Sequence, residues 1–133
     1  MSRRELREQL FKLLFRVEFN DLEEMQEQCG YFFDDVDNVI SEKDMAQIQS
    51  KFDKIMEKLS ELDEKINEHA KGWTTDRMAK VDLTIIRLAV YEILFDESVP
   101  TGVAINEAVE LAKKFGQDSS YSFVNGILAR FTE

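Results

Sequence analysis

Apolar residues return every three or four positions along most of this chain, a period that predicts helix from end to end. Leu6, Leu10, Leu13, Leu14 and Val17 form the first stripe. Ser2-Arg3-Arg4-Glu5 precedes it as a capping box, in which the Ser2 hydroxyl takes a free amide and Glu5 reaches back. This helix is expected to end near Asn20-Asp21. Asp21 can cap a second, from Leu22 to about Phe33, with Leu22, Met25, Cys29 and Phe32 inward. Gly30 weakens it by roughly 1 kcal/mol relative to alanine. Asp34-Asp35-Val36-Asp37-Asn38 reads as a polar loop, and Ser41 with Asp44 as the next cap. Met45, Ile48, Phe52, Ile55, Met56 and Leu59 continue at helical spacing. Ser60 is a candidate break, after which Leu62, Ile66 and Ala70 carry the apolar face to Gly72.

The second half is greasier. Thr74 is placed as a cap, with Trp73 and Met78 spaced for a hydrophobic staple. The helix from there to about Phe95 holds Met78, Val81, Leu83, Ile85, Ile86, Leu88, Ala89, Val90, Ile93 and Leu94 on more than one face. Such a helix is expected at the centre, packed on several sides. Arg87 and Glu92 within it must be paired or at its edge, Arg87 with Glu92 or Glu107 as candidates. Pro100 and Gly102 mark the entry to another helix, with Ala104, Ala108, Val109 and Ala112 on one face. Gly116 stands where a left-handed cap is cheapest, and Asp118 or Ser119 can cap the last helix. No period-two strand and no repeat interrupts the pattern, so the fold class is all-α with about seven helices.

Composition narrows the class. A chain of 133 residues is one domain and can bury roughly 68% of its unfolded surface. The single Cys29 excludes an internal disulfide and fits a reducing compartment. No apolar run is long enough for a membrane span, and the first residues are too charged for a signal peptide, which points to a soluble cytoplasmic protein with no membrane partner. The net charge of −10 argues against nucleic acid until its distribution is considered. Residues 1–16 carry five basic side chains (Arg3, Arg4, Arg7, Lys12, Arg16) against two acidic ones. Residues 17–70 carry five lysines against sixteen carboxylates. The positive charge is gathered on one short amino-terminal helix.

Catalytic patterns are not found. The only histidine, His69, has no nucleophile beside it in sequence, and Ile66 stands three residues before it where a di-metal bundle would need Glu. The Asp34–Asn38 cluster lacks the glycine and distal glutamate of a calcium loop, and no phosphate-cradling glycine loop appears. Neither enzyme, metal nor cofactor is expected. Arg3, Arg4 and Arg7 share one side of a helix start, where guanidinium forks suit phosphate oxygens and stack on unpaired bases. The alternative is a solvated helix end. Cations there oppose the helix dipole, a small cost compatible with a use elsewhere.

Three segments carry a family resemblance. Val103-Ala-Ile-Asn-Glu-Ala-Val-Glu-Leu-Ala-Lys, then Phe115-Gly116, then Phe123-Val-Asn-Gly-Ile-Leu, resembles the carboxy-terminal signature of the NusB family of bacterial transcription antitermination factors. Trp73, Arg77, Val81, Asp82, Arg87, Leu88, Ala89, Tyr91 and Glu92 resemble its central helix, and Arg3-Arg4, Arg7 and Leu14 its basic first helix. Residues 18–70 match in helical pattern alone. The resemblance implies two perpendicular helical subdomains, 1–70 and 71–133, with three and four helices.

It also implies a function. NusB relatives bind boxA, a short single-stranded element of ribosomal RNA transcripts, together with the ribosomal protein NusE, and the complex assists RNA polymerase in passing terminators. By position, the RNA-binding candidates are Arg3, Arg4, Arg7, Lys12, Asp118, Ser119 and Phe123, and the candidates for NusE are Asp76 and Asp82. Acidic residues suit a basic ribosomal protein. Two readings stand for Phe123, a base-stacking ring or a core aromatic, and two for Asp76, a partner contact or a favourable charge at its helix N-terminus. The sequence departs from the family pattern at Glu5, where a third arginine is frequent, at Lys12, where glutamine is, and at Phe15, where tyrosine is. Some relatives form dimers that cover the arginine face, so a homodimeric scaffold is the alternative. A similar helical domain also precedes certain rRNA cytosine methyltransferases, but this chain shows no cofactor-binding glycine loop.

Overall fold

The computed structural model describes residues 1–35 and 39–132, so the expected loop Asp34–Asn38 lies partly outside the described residues. Those residues form seven α-helices and no strand: α1 (Arg3–Phe15), α2 (Met25–Asp34), α3 (Glu42–Glu57), α4 (Leu59–His69), α5 (Lys80–Phe95), α6 (Thr101–Phe115) and α7 (Ser120–Ala129). The chain divides into two compact units, Met1–Glu57 and Lys58–Glu133. The first holds α1 to α3 and the second α4 to α7. The division falls after Glu57 rather than after residue 70, because α4 packs on α5. Its inward residues Leu62 and Ile66 are fully buried, and Lys58 places its ammonium 5.1 Å from the centre of the Phe95 ring. The helix break comes at Lys58, two residues before Ser60.

In the first unit α1 packs on α3. Leu10, Phe11, Leu13 and Leu14 are buried on α1, and Ile48, Phe52 and Ile55 on α3. Met25, Cys29 and Phe32 of α2 are buried as their spacing predicts. Leu22, expected inward, is 64% exposed. Leu22–Glu24 is a 3-10 turn, whose tighter winding puts it out of phase with the helix that follows. Ser41 Oγ accepts from the Asp44 amide at 3.2 Å, as the cap pattern predicts.

In the second unit α5 packs against α4, α6 and α7, the central position expected of a helix apolar on several sides. It buries Leu83, Ile85, Ile86, Leu88, Ala89 and Val90, each worth about 1.5–3 kcal/mol for the larger side chains. Leu94 points out. Asp82, Thr84 and Glu92 are buried with the apolar residues. Arg87 makes a bidentate pair with Asp63 of α4, Nε to Oδ1 and Nη2 to Oδ2 at 2.8 Å each. Apolar spacing offers Glu92 and Glu107 as candidates for this arginine and gives Asp63 no distinction.

The start of α5 differs from expectation. Thr75–Arg77 is a 3-10 turn, Met78 is extended, and α5 begins only at Lys80. The Thr74 hydroxyl donates to the Asp76 carboxylate, and the Thr75 amide donates to Asn67 Oδ1 of α4 at 2.9 Å. Thr74 therefore makes no side-chain cap, and the segment is tied back to α4. The α6–α7 corner also corrects two expectations. Gly116 is extended (φ −94°, ψ −170°), not left-handed. Its requirement for glycine is one of space: a Cβ there would lie 2.5 Å from Ser120 Cβ and 2.7 Å from the Ala112 carbonyl oxygen. Neither Asp118 nor Ser119 caps α7 with its side chain; instead Ser120 Oγ accepts from the Gln117 amide at 3.0 Å.

Candidate nucleic-acid interface

The candidate residues divide between the two units. In the first, the capping box at the start of α1 forms as the sequence predicts: Ser2 Oγ accepts from the Glu5 amide and Glu5 Oε1 from the Ser2 amide, both at 3.1 Å. The Ser2 backbone and hydroxyl hold the Glu5 carboxyl below its ordinary range. The terminal amine pairs with Asp44 at 3.2 Å, which ties this end of α1 to the start of α3. Glu5, standing where a third arginine is frequent, thus fixes the helix start on which the other arginines are mounted.

Arg3 and Arg4 are exposed and Arg7 is half-buried. At about 100° per residue, the three fall within one arc of α1. Lys12 is exposed but lies about 140° round the helix from Arg7 and about 80° from Arg4, outside that arc. Arg16, the fifth basic residue of the segment, turns into its own unit. Its Nη1 donates to the Gln28 carbonyl oxygen at 3.3 Å and to Gln28 Oε1 at 3.1 Å, and its guanidinium lies 5.4 Å from the centre of the Phe32 ring.

In the second unit Asp118 and Ser119 are exposed at the α6–α7 corner. Phe123 sits one turn on, its amide donating to the Ser119 carbonyl at 3.1 Å. Its ring is half-buried and meets Trp73 edge to face, with centroids 5.3 Å apart and planes at 74°. Phe123 is thus neither a sealed core residue nor a free one. Beside the corner, Lys113, Gly116, Gln117, Asp118 and Tyr121 line an open depression of about 450 Å³. The Lys113 ammonium stands 5.7 Å from the Tyr121 ring centre. Nothing in the sequence singles out Tyr121, because no helical period marks an exposed aromatic as a surface feature.

The two acidic candidates differ. Asp76 is exposed in the 3-10 turn and accepts from Thr74, so it does not lie in the first turn of α5. Asp82 does lie there and is buried, and its Oδ1 has no hydrogen-bond partner. His69 is engaged structurally: Nδ1 donates to the Lys65 carbonyl at 2.8 Å and the ring stacks on Phe131 at 4.1 Å. Among the described residues no group of three His, Cys, Asp or Glu side chains is placed to hold a metal ion, and no helix is long and apolar enough to cross a membrane.

An all-helical protein with a cationic helix end on an otherwise anionic chain has the form of a small binding module. The chain belongs to the NusB family, whose profile matches residues 4–133. It is 53% identical over 130 residues to the transcription antitermination protein NusB of Lachnoclostridium phytofermentans, covering 98% of each chain. It is 54% identical over 131 residues to that of Agathobacter rectalis, covering 98% of this chain and 99% of the relative. Among solved structures, NusB of T. maritima superposes with a TM-score of 0.87 at 35% identity, covering 98% of this chain and 90% of that one. A structure of the antitermination factors NusB and NusE in complex with dsRNA superposes with a TM-score of 0.77 at 25% identity, covering 97% and 94%. The family is one of transcription antitermination factors and not of enzymes.

Proposed function

We propose that this chain binds boxA-type single-stranded RNA of ribosomal transcripts jointly with NusE, and that the assembly helps RNA polymerase pass terminators in the bacterial cytoplasm. The observation that carries this reading is the start of α1, where Arg3 and Arg4 stand in solvent on a helix end fixed by its own capping box. Guanidinium forks mounted there suit phosphate oxygens and can stack on unpaired bases. The relative solved with NusE and dsRNA supports NusE and RNA as the two kinds of partner. Asp118, Ser119 and Phe123 are the proposed contacts on the second unit, and Lys12, farther round α1 than the arginines, is a further candidate on the first. Asp76 supplies an exposed carboxylate for NusE, and Asp82, in the first turn of α5, is the second acidic candidate. Two weak contacts joined in one complex become tight through effective concentration.

The test is a fluorescence titration of boxA-type RNA, with and without NusE, across a range of salt. Replacing Arg3, Arg4 and Arg7 together by alanine should weaken binding and reduce the slope of log K against log salt by about 2, near 0.7 for each phosphate no longer neutralised on a single strand. An unchanged slope and affinity would remove α1 from the interface. A tight dimer in sedimentation that also refuses RNA would favour the homodimeric scaffold with its arginine face covered.

A further inference from the structure

Trp73, the single tryptophan of the chain, is 46% exposed. It follows Gly72, whose φ of +85° reverses the chain after α4, and its amide donates to the Ala70 carbonyl at 2.7 Å. The backbone beneath the indole is therefore held. The ring is held too, edge to face against Phe123. An edge-to-face contact uses the face of one ring only and leaves an aromatic face of the pair open to a third ring. An indole in this position gains its contact with Phe123 and still leaves nearly half its surface in water.

We propose that Trp73 and Phe123 together form a stacking platform for one unpaired base of the bound RNA, with Trp73 as the larger contact. This rests on the RNA-binding reading above and extends it to a residue that reading does not use. A base is the occupant that fits. Every base offers a π-face, and stacking on a held aromatic needs no particular hydrogen-bond pattern. Lys71 and Arg77, exposed on either side of Trp73, outnumber Asp76 in this segment and supply cations for the flanking phosphates. Phe123 is joined through its amide to Ser119, so the platform continues the corner that carries Asp118 and Ser119.

The single tryptophan makes the test direct. With NusE present, saturating unlabelled boxA-type RNA should shield Trp73 of the unmodified protein from acrylamide quenching and shift its emission. In a parallel titration with fluorescein-labelled RNA, Trp73→Leu should weaken binding roughly 5- to 150-fold, the range for removal of one base stack, while Trp73→Phe recovers most of it. Affinity for NusE alone should not change. Unshielded emission at saturation, or wild-type RNA affinity in a folded Trp73→Leu protein, overturns the proposal and leaves the RNA-binding reading standing. Loss of NusE affinity with RNA affinity intact overturns it in favour of a protein contact. If Trp73→Leu does not fold, the shielding measurement on the unmodified protein decides. Failure of the unmodified protein to bind RNA at all overturns the underlying reading instead.

Discussion

At the scale of single residues, Gly116 shows how the candidate corner depends on a missing side chain. Its backbone angles are open to any residue, so the constraint is space and not conformation. Alanine there would bring Cβ to 2.6 Å from Ser120 Oγ, the atom that accepts the Gln117 amide, and to 2.7 Å from a backbone oxygen of α6 that cannot rotate away. The corner must open. Gly116→Ala should therefore cost about 1–3 kcal/mol in chemical denaturation, the usual range for overpacking. It should also weaken RNA binding if Asp118 and Ser119 move with the corner. A glycine after the last apolar residue of a helix is legible in sequence, but its reason is not. The helix-end pattern suggests a left-handed cap, whereas the structure uses the glycine for close approach and assigns the left-handed conformation to Gly72. Close approach depends on where Ser120 returns in space, which no local pattern encodes.

At the scale of elements, apolar spacing locates every helix, because burial sets the period directly. It is less informative at helix ends. The start of α5 escapes it since Thr74, a good cap by type, donates to Asp76, and Thr75 is drawn to Asn67 eight residues earlier. The division between units is likewise set by a contact that spacing does not reveal, the packing of α4 on α5. The Asp63–Arg87 fork reinforces that packing: both side chains are mostly buried, at 14% exposure for Arg87 and 27% for Asp63. Asp63→Ala removes two charge-assisted bonds between the helices and should cost about 1.5–3 kcal/mol, read from the denaturation midpoint at unchanged slope. A cost within a few tenths of a kcal/mol of zero would mean that the fork adds nothing to the hold that buried residues such as Leu62 and Ile66 give α4. The capping box at Ser2 and the side-chain cap at Ser41 are legible because their partners lie three residues away.

At the scale of the whole molecule, the candidate RNA face has to work against the charge of its own chain. The net charge is −10, and residues 17–70 hold sixteen of the carboxylates. Charge counting along the chain reveals this asymmetry, but not that Arg16 is withdrawn onto Gln28 and Phe32, which leaves a smaller cationic face than the sequence suggests. Glu23 and Glu24 are exposed in the 3-10 turn before α2. α1 spans about 20 Å at 1.5 Å per residue, and these carboxylates follow its far end. At that range two charges interact by only about 0.2 kcal/mol in water, so no single carboxylate decides binding. Their sum over several phosphates depends on screening, with a Debye length near 30 Å at 0.01 M salt and near 8 Å at 0.15 M. Replacing Glu23 and Glu24 by glutamine should therefore raise RNA affinity roughly two-fold at 0.01 M salt and leave it unchanged at 0.15 M. A gain that persisted at the higher salt would place these carboxylates in contact with the RNA, and the face proposed on α1 would then extend to the turn before α2.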